Sequence, residues 1–449
     1  MEQIKQTESI SQLYDRLLES EPKPVASYVP EKQNAIDQKS DFLSGHIRTP
    51  NHSYDKLNAI KFDDARAKIE IVGQTILDYE DLNPKHKPSY EDFVEGYKNK
   101  TRLMELAQAF KQSSDEVAKA QLKQEYMQLN IELYGEPSEE TYRSLMQEKL
   151  NRIDQKNLTG PTLQLRNELF EMTGYVPSNE KYERFSPSDD TVEWMQGVVE
   201  SLYGSMLSHV PKRDTFSPEE VRTVFTEIIE QEFSESAEGW KVDIEPAKSI
   251  NVKSTEKRIV IPEDRGDISY AVLRGLIVHE IGVHMLRAVT GAETDLLPLQ
   301  NGLNDYYDAE EGLGVVMQQA LKGKFTESGI EPYITAGLAY HDSKDFRDTF
   351  EVKWRLSALE AVGDSGEITD ASITKARNTA YGSVMRSMRG TDELPWFKDL
   401  AYYNGSIDVW RHLESIKGDD LKFMFVLLGK ANPANRAHEQ ILLETKSTD

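Results

Sequence analysis

The apolar stretch AVLRGLIVHEIGVHMLRAV, residues 271–289, carries two of the chain's nine histidines around a glutamate. The stretch is long and apolar enough to predict a buried helix. An imidazole in such a helix needs a hydrogen-bond or metal partner, because leaving a buried polar group unpaired costs about 1–3 kcal/mol. We therefore expect His279 and His284 to bind a common partner.

The composition of the chain excludes several classes of function. Its 449 residues suffice for two or three domains and a large core. It carries 53 Lys and Arg against 77 Asp and Glu, a formal net charge of −24, so we expect no nucleic-acid partner. The absence of cysteine excludes disulfides, thiolate metal ligands and cysteine nucleophiles, so any metal must be bound by His and carboxylate groups.

The sequence predicts a cytoplasmic protein without a membrane anchor. The first 20 residues lack the basic and apolar regions of a secretory signal and have the character of a polar amphipathic helix. The longest apolar run, FMFVLL at residues 423–428, is far shorter than the ~20 residues that span a bilayer. The oligomeric state stays open.

We predict a mainly α fold, of the α+β type, in four segments. Residues 1–50 form a short helix and an extended connector, residues 51–175 a helical region, residues 176–430 the domain with the histidine helix, and residues 431–449 a C-terminal tail. Predicted helices lie at about 54–79, 88–112, 114–134, 138–155, 309–322, 343–362, 371–389, 397–416 and 419–430.

Local sequence patterns predict the secondary structure just before the histidine helix. The runs WKVDIEP, SINVKST and KRIVIP predict a small sheet over residues 240–262. Ser217, followed by Pro218 and two glutamates, is a predicted helix N-cap. Ser269 is the predicted N-cap of the histidine helix.

His279, Glu280 and His284 form a variant of the H-E-x-x-H pattern of zincins. Zinc hydrolases use two imidazoles and a third protein ligand, with a carboxylate near the bound water. The usual i, i+4 spacing puts the two rings about 40° apart, whereas i, i+5 puts them about 140° apart on a regular helix. A π-type bulge would bring both rings to one face, and Gly282 is the residue best able to permit it.

A third ligand is expected from a later helix, in NDYYDAEEGLGVVMQQA at residues 304–320. Glu310 and Glu311 are adjacent and point about 100° apart, so only one of them can be a ligand while the other supports it or faces solvent. The alternative is that His279 and His284 are core residues bonded to neighbouring carbonyls and that the glutamates are a charged helix entry.

These motifs resemble those of the microtubule-associated tyrosine carboxypeptidases and their bacterial relatives, a family of zincin-like metallopeptidases. The family's H-E-I-G-T-H corresponds to HEIGVH at 279–284, and its E-E-G-L-A type of segment to AEEGLG at 309–314. Further similar segments are LYGEP at 133–137, HMLRAVTG at 284–291, LQNGL at 299–303, MRSMRGT at 385–391 and FKDLAYYNG at 397–405. The likeness extends over roughly residues 130–415.

The resemblance implies a helix-rich, zincin-like catalytic domain with a small β-sheet ahead of the metal-binding helix, and we place this domain at residues 176–430. It also implies one Zn²⁺ ion bound by His279, His284 and Glu311, with Glu280 as general base. The expected function is therefore that of a zinc-dependent metallopeptidase, a carboxypeptidase whose substrate is the C-terminus of a peptide or protein.

The chain departs from the family pattern at Val283, Thr290 and Gly314, and Lys398 lacks its preceding threonine. None of these positions is a predicted ligand or the base, so the departures bear on substrate choice. Tubulin is not carried over as a substrate, because both this chain and the microtubule are acidic.

A carboxypeptidase must bind a free carboxylate, for which the planar arginine fork is well suited. Arg386 and Arg389, spaced i, i+3, are the predicted substrate-binding residues, followed by Lys398. For Arg389 the alternative is a cation that complements a helix C-terminus. A nearby tyrosine could assist at the scissile carbonyl, the candidates being Tyr306, Tyr307 and Tyr402.

Two other functions compete with a peptidase. One is a non-catalytic metal-binding regulatory or scaffold protein that retains the zincin site, against which the intact Glu280 argues. The other is a helical interaction protein without a metal.

Overall fold

The computed structural model describes residues 8–178, 182–247, 249–363 and 365–446. Over these residues the fold is mainly helical with two small sheets, which confirms the predicted fold class. The first ten helices are α1 (Ile10–Ser20), α2 (Pro24–Ser27), α3 (Lys32–Leu43), α4 (Asp55–Asn58), α5 (Phe62–Leu77), α6 (Lys87–Gln112), α7 (Glu116–Tyr134), α8 (Glu139–Asp154), α9 (Gly160–Thr173) and α10 (Asp189–Ser208).

The later helices extend from residue 218 to the C-terminal part of the described chain. They are α11 (Pro218–Glu232), α12 (Tyr270–Leu276), α13 (Leu286–Ala292), α14 (Pro298–Asn301), α15 (Tyr307–Leu321), α16 (Ile330–Tyr340), α17 (Phe346–Glu360), α18 (Asp370–Met388), α19 (Ala401–Ser415), α20 (Asp420–Val426) and α21 (Arg436–Lys446). Short 3₁₀ turns occupy Ser234–Ala237, Ser254–Glu256 and Phe397–Leu400. None of the helices described is both long and apolar enough to cross a bilayer.

The prediction of an extended connector before residue 50 is wrong. That segment contains α2 and α3, while the first seven residues of the predicted N-terminal helix lie outside the described residues. Pro24 occupies the first turn of α2, where backbone N–H groups have no acceptor within the helix, so the missing N–H of proline costs nothing. The Glu31 carboxylate caps α3 by accepting hydrogen bonds from the backbone N–H groups of Gln33 and Asn34.

The predicted sheet over residues 240–262 is confirmed. It consists of β2 (Lys241–Glu245), β3 (Asn251–Lys253) and β4 (Arg258–Pro262), with β4 in the centre, parallel to β2 and antiparallel to β3. A second, antiparallel pair of strands, β1 (Thr215–Phe216) and β5 (Ile268–Ser269), was not predicted, because two-residue strands are too short to show alternation.

Two predicted helix starts near the sheet are confirmed. Ser217 caps α11 in a capping box, in which its own N–H donates to Glu220 Oε2 at 2.8 Å. The Ser269 hydroxyl accepts a hydrogen bond from the N–H of Val272 and so begins α12. Strand β5 therefore leads directly into the histidine helix.

Helix α16 was not predicted. Most of its residues are buried on several sides, so no amphipathic pattern marks it. Gly337 within it lies against the ring of Tyr142, where a Cβ atom would overlap the aromatic carbons. The predicted helix at 397–416 is in fact a 3₁₀ turn followed by α19.

The N-terminal helices pack against the part of the chain that follows the histidine helix. One apolar cluster joins Leu17 of α1 and Phe93 of α6 with Leu299, Leu303 and the C-terminal Leu442. The apolar clusters thus cross the segment boundaries proposed from the sequence at residues 50, 175 and 430.

Asp392 makes a buried polar connection between the same parts of the molecule. Its carboxylate accepts hydrogen bonds from His52 Nδ1 at 2.8 Å, Tyr54 Oη at 2.5 Å and Lys111 Nζ at 2.6 Å. Burial opposes its ionisation, but the hydrogen bond to His52 and the charge of Lys111 hold the pKa of Asp392 below its ordinary value. This carboxylate therefore fixes α6 to the segment after α18.

Candidate metal centre

The histidine stretch changes its helical period at the two histidines. Between α12 and α13 the chain forms a π-helix, Ile277–Met285. The wider turn brings His279 and His284 to the same side, with ring centroids 4.8 Å apart and ring planes at 75°. This confirms the π-type widening that the i, i+5 spacing predicts.

Gly282, in the middle of the π-helix, makes room for a neighbouring side chain. A Cβ atom at this position would lie 2.8 Å from Cε1 of Tyr203, which belongs to α10. The Tyr203 hydroxyl donates a hydrogen bond of 2.8 Å to the Gly282 carbonyl. Gly282 thus accommodates a tyrosine that satisfies a backbone carbonyl of the π-helix.

His279, His284 and Glu311 each offer a ligand atom within 4.8 Å of the other two. No other group of His, Cys, Asp or Glu in the described parts of the chain has this geometry. Atoms that share a tetrahedral zinc ion with bonds of about 2.1 Å lie about 3.4 Å apart. Side-chain movements of about an ångström would therefore bring these three groups to ligand distance.

The two adjacent glutamates of α15 have different neighbours. Glu311 joins the two histidines, whereas Glu310 Oε1 lies 2.9 Å from His284 Nδ1 and 3.0 Å from Lys430 Nζ. The other oxygen of Glu310 accepts a hydrogen bond from Arg287. Of the two carboxylates, Glu311 is therefore the one placed to bind a metal, and Glu310 supports a histidine.

The glycines that follow Glu311 allow two close approaches. A Cβ atom at Gly314 would lie 2.5 Å from Cε1 of His279, so only glycine leaves space for the imidazole there. A Cβ atom at Gly312 would overlap the backbone of Gly405, where α15 crosses α19. The EEGLG segment thus sets the distance of α15 from both the histidine helix and α19.

Burial and neighbouring charges set the protonation of the site. Burial lowers the pKa of His279 to about 4, assisted by the charge of His284, and so favours the neutral imidazole that binds metals. Burial raises the pKa of Glu280 to about 7, opposed in part by His284. For Glu311, burial is outweighed by the charges of His284 and Lys398, which lower its pKa.

The three cations predicted to bind a substrate lie near one another, and their charges act on Glu311 or on each other. Arg386 is about half exposed and forms a bidentate ion pair with Asp399, at 2.6 and 2.9 Å. Arg389 lies over the ring of Trp396, 4.5 Å from its centroid. Its Nε is buried, and it forms no hydrogen bond or ion pair with any described residue.

Lys398 is close enough to both arginines and to Glu311 for their charges to act on it. Its ammonium group donates to the Tyr307 hydroxyl, and Tyr307 in turn hydrogen-bonds to Glu311. Burial lowers the pKa of Lys398 to about 8, although the charges of Glu311 and Asp399 oppose the shift. The Arg386 guanidinium lies over the ring of Tyr402, 5.7 Å from its centroid.

A cavity of about 260 Å³ lies beside the start of α15. Its walls come from α6 and α7, through Lys100 and Tyr134, and from Tyr306, Tyr307 and Asp308. The N-terminal helices therefore form one side of a cleft whose other side includes the tyrosine that contacts Glu311.

Sequence reasoning missed four residues that contact the site: Tyr203, Arg287, Asp399 and Lys430. Arg287 had a usable signal, since a buried arginine one turn after His284 on an apolar helix requires an acidic partner. Lys430 lies far along the chain in an unremarkable loop, and no local pattern connects it with Glu310.

Comparisons of the chain with protein-family models, with curated proteins and with solved structures found no match. The class of protein is therefore inferred from the residues and the geometry of this site.

Proposed function

We propose that the chain is a zinc-dependent metallopeptidase that acts as a carboxypeptidase on the C-terminus of a peptide or protein. The observation that carries the proposal is the convergence of His279, His284 and Glu311 within 4.8 Å, with Glu280 between the two histidines on the same π-helix. The motif likeness to the tyrosine carboxypeptidases and the expected cytoplasmic location are parts of the same proposal.

The residues present fit a single zinc ion. Two imidazoles and one carboxylate are the donor set of catalytic zinc sites, which keep one position open. His279 Nδ1 is buried without a hydrogen bond of normal geometry in the described part of the chain, and its low pKa favours the neutral ring. When bound, zinc supplies Lewis-acid activation of water and of the scissile carbonyl.

Glu280 is the proposed general base. Its carboxylate takes a proton from the attacking water and later gives that proton to the leaving amine. In the protein without zinc, burial raises the pKa of Glu280 to about 7, and a group that titrates near the working pH can both accept and release a proton. Burial, which raises this pKa, also excludes competing bulk water.

Arg389 and Lys398 are the proposed anchors for the terminal carboxylate of the substrate. The fork of Arg386 is already occupied by Asp399, whereas Arg389 lies over the Trp396 ring and its buried Nε has no hydrogen-bond partner among the described residues. A largely buried cation without an ion-pair partner is costly, and a substrate carboxylate would supply the counter-charge. Arg386 then keeps Asp399 next to Arg389 and Lys398, and its main role is to help position these two residues.

A non-catalytic metal-binding regulatory or scaffold protein is the alternative. Such a protein would need the three ligands but not a buried carboxyl group with a raised pKa between them. Glu280 has that environment, which favours a catalytic site.

Two measurements test the proposal. Metal analysis after dialysis should find about one zinc per chain, and less than about half an equivalent would argue against a metal centre. Incubation with a library of peptides with free C-termini should then show loss of terminal residues by the wild type and not by the Glu280→Gln variant.

A matched control separates the loss of the base from a general effect of removing a charge. Glu293 is exposed just after α13 and hydrogen-bonds to Ser236. Glu293→Gln should retain full cleavage. Equal cleavage by the wild type and Glu280→Gln would refute the assignment of the base, and zinc binding without cleavage of any peptide would favour the regulatory alternative.

A further inference from the structure

Glu310 lies in a buried cluster that also contains two cations and one of the histidines. It is 3% exposed, and its partners Arg287 and Lys430 are 1% and 6% exposed. Oε1 faces both His284 Nδ1 and Lys430 Nζ, and Oε2 accepts from Arg287 Nη1. Every polar contact of this carboxylate therefore comes from a potential donor.

The cations determine which way the hydrogen bond to His284 runs. Arginine and lysine have donors only, so the carboxylate between them stays ionised and acts only as an acceptor. The nitrogen of His284 that faces Glu310 must then carry a proton. When the ring is neutral, the proton on Nδ1 leaves the lone pair on Nε2, the other ring nitrogen.

One of the two cations comes from a distant segment, which we name the C-terminal strap, residues 427–431. Thr290 Oγ1 donates to the Leu427 carbonyl at 2.9 Å, and the Gly429 N–H donates to Thr290 Oγ1 at 3.0 Å. The Lys430 N–H donates to the carbonyl of Leu299 at 2.7 Å. The strap is thus hydrogen-bonded to both α13 and α14.

Arg287 also ties the strap to the cluster, because its Nη2 donates to the Ala431 carbonyl. The same guanidinium therefore holds Glu310 with one nitrogen and the strap with another. His279 has no equivalent arrangement, since its ring lies against Gly314 and its Nδ1 has no regular hydrogen bond in the described residues. The support is specific to His284.

We propose that Glu310 is a positioning residue that fixes His284 as the Nδ1–H tautomer, so that Nε2 is the metal ligand, and that Lys430 of the C-terminal strap completes this support. The inference rests on the proposed function in one respect, namely that His284 binds the metal. It adds that metal affinity depends on docking of a segment about 150 residues away in the sequence.

The test that needs no substitution is NMR of the full-length wild-type protein with ¹⁵N-labelled histidine. In the zinc-loaded protein, His284 should show a protonated Nδ1 and a metal-bound Nε2. Metal bound at Nδ1 would overturn the inference. If the wild type binds no zinc, the proposed function fails. Protonation of His284 Nδ1 in the metal-free protein then still shows whether Glu310 accepts a hydrogen bond from that nitrogen.

Variants test the energetic consequence. Glu310→Gln should weaken zinc binding about 10- to 100-fold, the usual effect of removing such a supporting carboxylate, as measured by competition with a chromophoric chelator. Lys430→Met should weaken it less, because Arg287 still holds Glu310. Glu293→Gln is the control for the charge change and should bind zinc as the wild type does. Unchanged affinity in a folded Glu310→Gln protein would also overturn the inference.

Discussion

Gly314→Ala tests the packing that holds His279 in place. An added Cβ atom would lie 2.5 Å from the imidazole Cε1, whereas ordinary contact begins at 3.4 Å. The ring must therefore retreat by about 0.9 Å, because Gly314 lies on the helix backbone and cannot move freely. Catalytic groups tolerate displacements of about 0.5 Å, and a shift of about 1 Å can reduce the rate about 100-fold.

We expect Gly314→Ala to reduce peptide cleavage about 100-fold and to weaken zinc binding, because it displaces a ligand. The added methyl also overpacks the core, which typically costs about 1–3 kcal/mol of unfolding free energy. Chelator competition and peptide cleavage measure the first two effects, and urea denaturation measures the third.

Gly197→Ala is the matched control. Gly197 lies within α10, and a Cβ atom there would meet nothing within 4 Å. This variant should keep its activity and gain about 0.5–1 kcal/mol of stability, as alanine does over glycine inside a helix. Zinc binding and peptide cleavage by Gly314→Ala at the level of Gly197→Ala would show that close packing against Gly314 does not hold His279 in place.

Three further outcomes follow from other contacts. Asp392→Asn should lower the unfolding free energy by about 3–5 kcal/mol, the cost of breaking a buried ion pair. Because the folded-state pKa of Asp392 is lowered, the stability that its carboxylate contributes is complete above the unfolded pKa of about 4 and is lost as pH falls through the folded pKa. Urea denaturation of the wild type and the variant at several pH values measures this difference in stability. A difference that does not change with pH would contradict the role of the ionised carboxylate. Tyr203→Phe should cost about 1–3 kcal/mol by leaving the Gly282 carbonyl unpaired, and an unchanged melting temperature would contradict that role. Arg389→Gln should raise KM about 10-fold or more for peptides with a free C-terminal carboxylate and not for amidated ones, whereas equal effects on both would exclude carboxylate binding.

The features that the sequence predicts correctly are those governed by short-range rules. Ser217 begins α11 as expected, because the cap, the proline and the acidic turn all act within four residues. The π-helix was predictable for a similar reason, since two histidines five residues apart can share one ion only if the turn between them widens.

Features that depend on distant contacts were not predictable in this way. Helix α16 has no amphipathic pattern because it is buried on several sides. Spacing alone left Glu310 and Glu311 equivalent, since both lie at the start of the same helix. Their difference arises from Arg287 and Lys430, which surround only Glu310 and which meet there only in the folded chain.

Anomalous diffraction at the zinc absorption edge, from crystals grown with one equivalent of zinc, locates the metal directly. Zinc in the proposed centre should give a single strong peak within about 2.0–2.2 Å of a nitrogen of His279, a nitrogen of His284 and an oxygen of Glu311. A zinc-loaded crystal with no peak among these three side chains, or with the peak on Glu310 in place of Glu311, would contradict it.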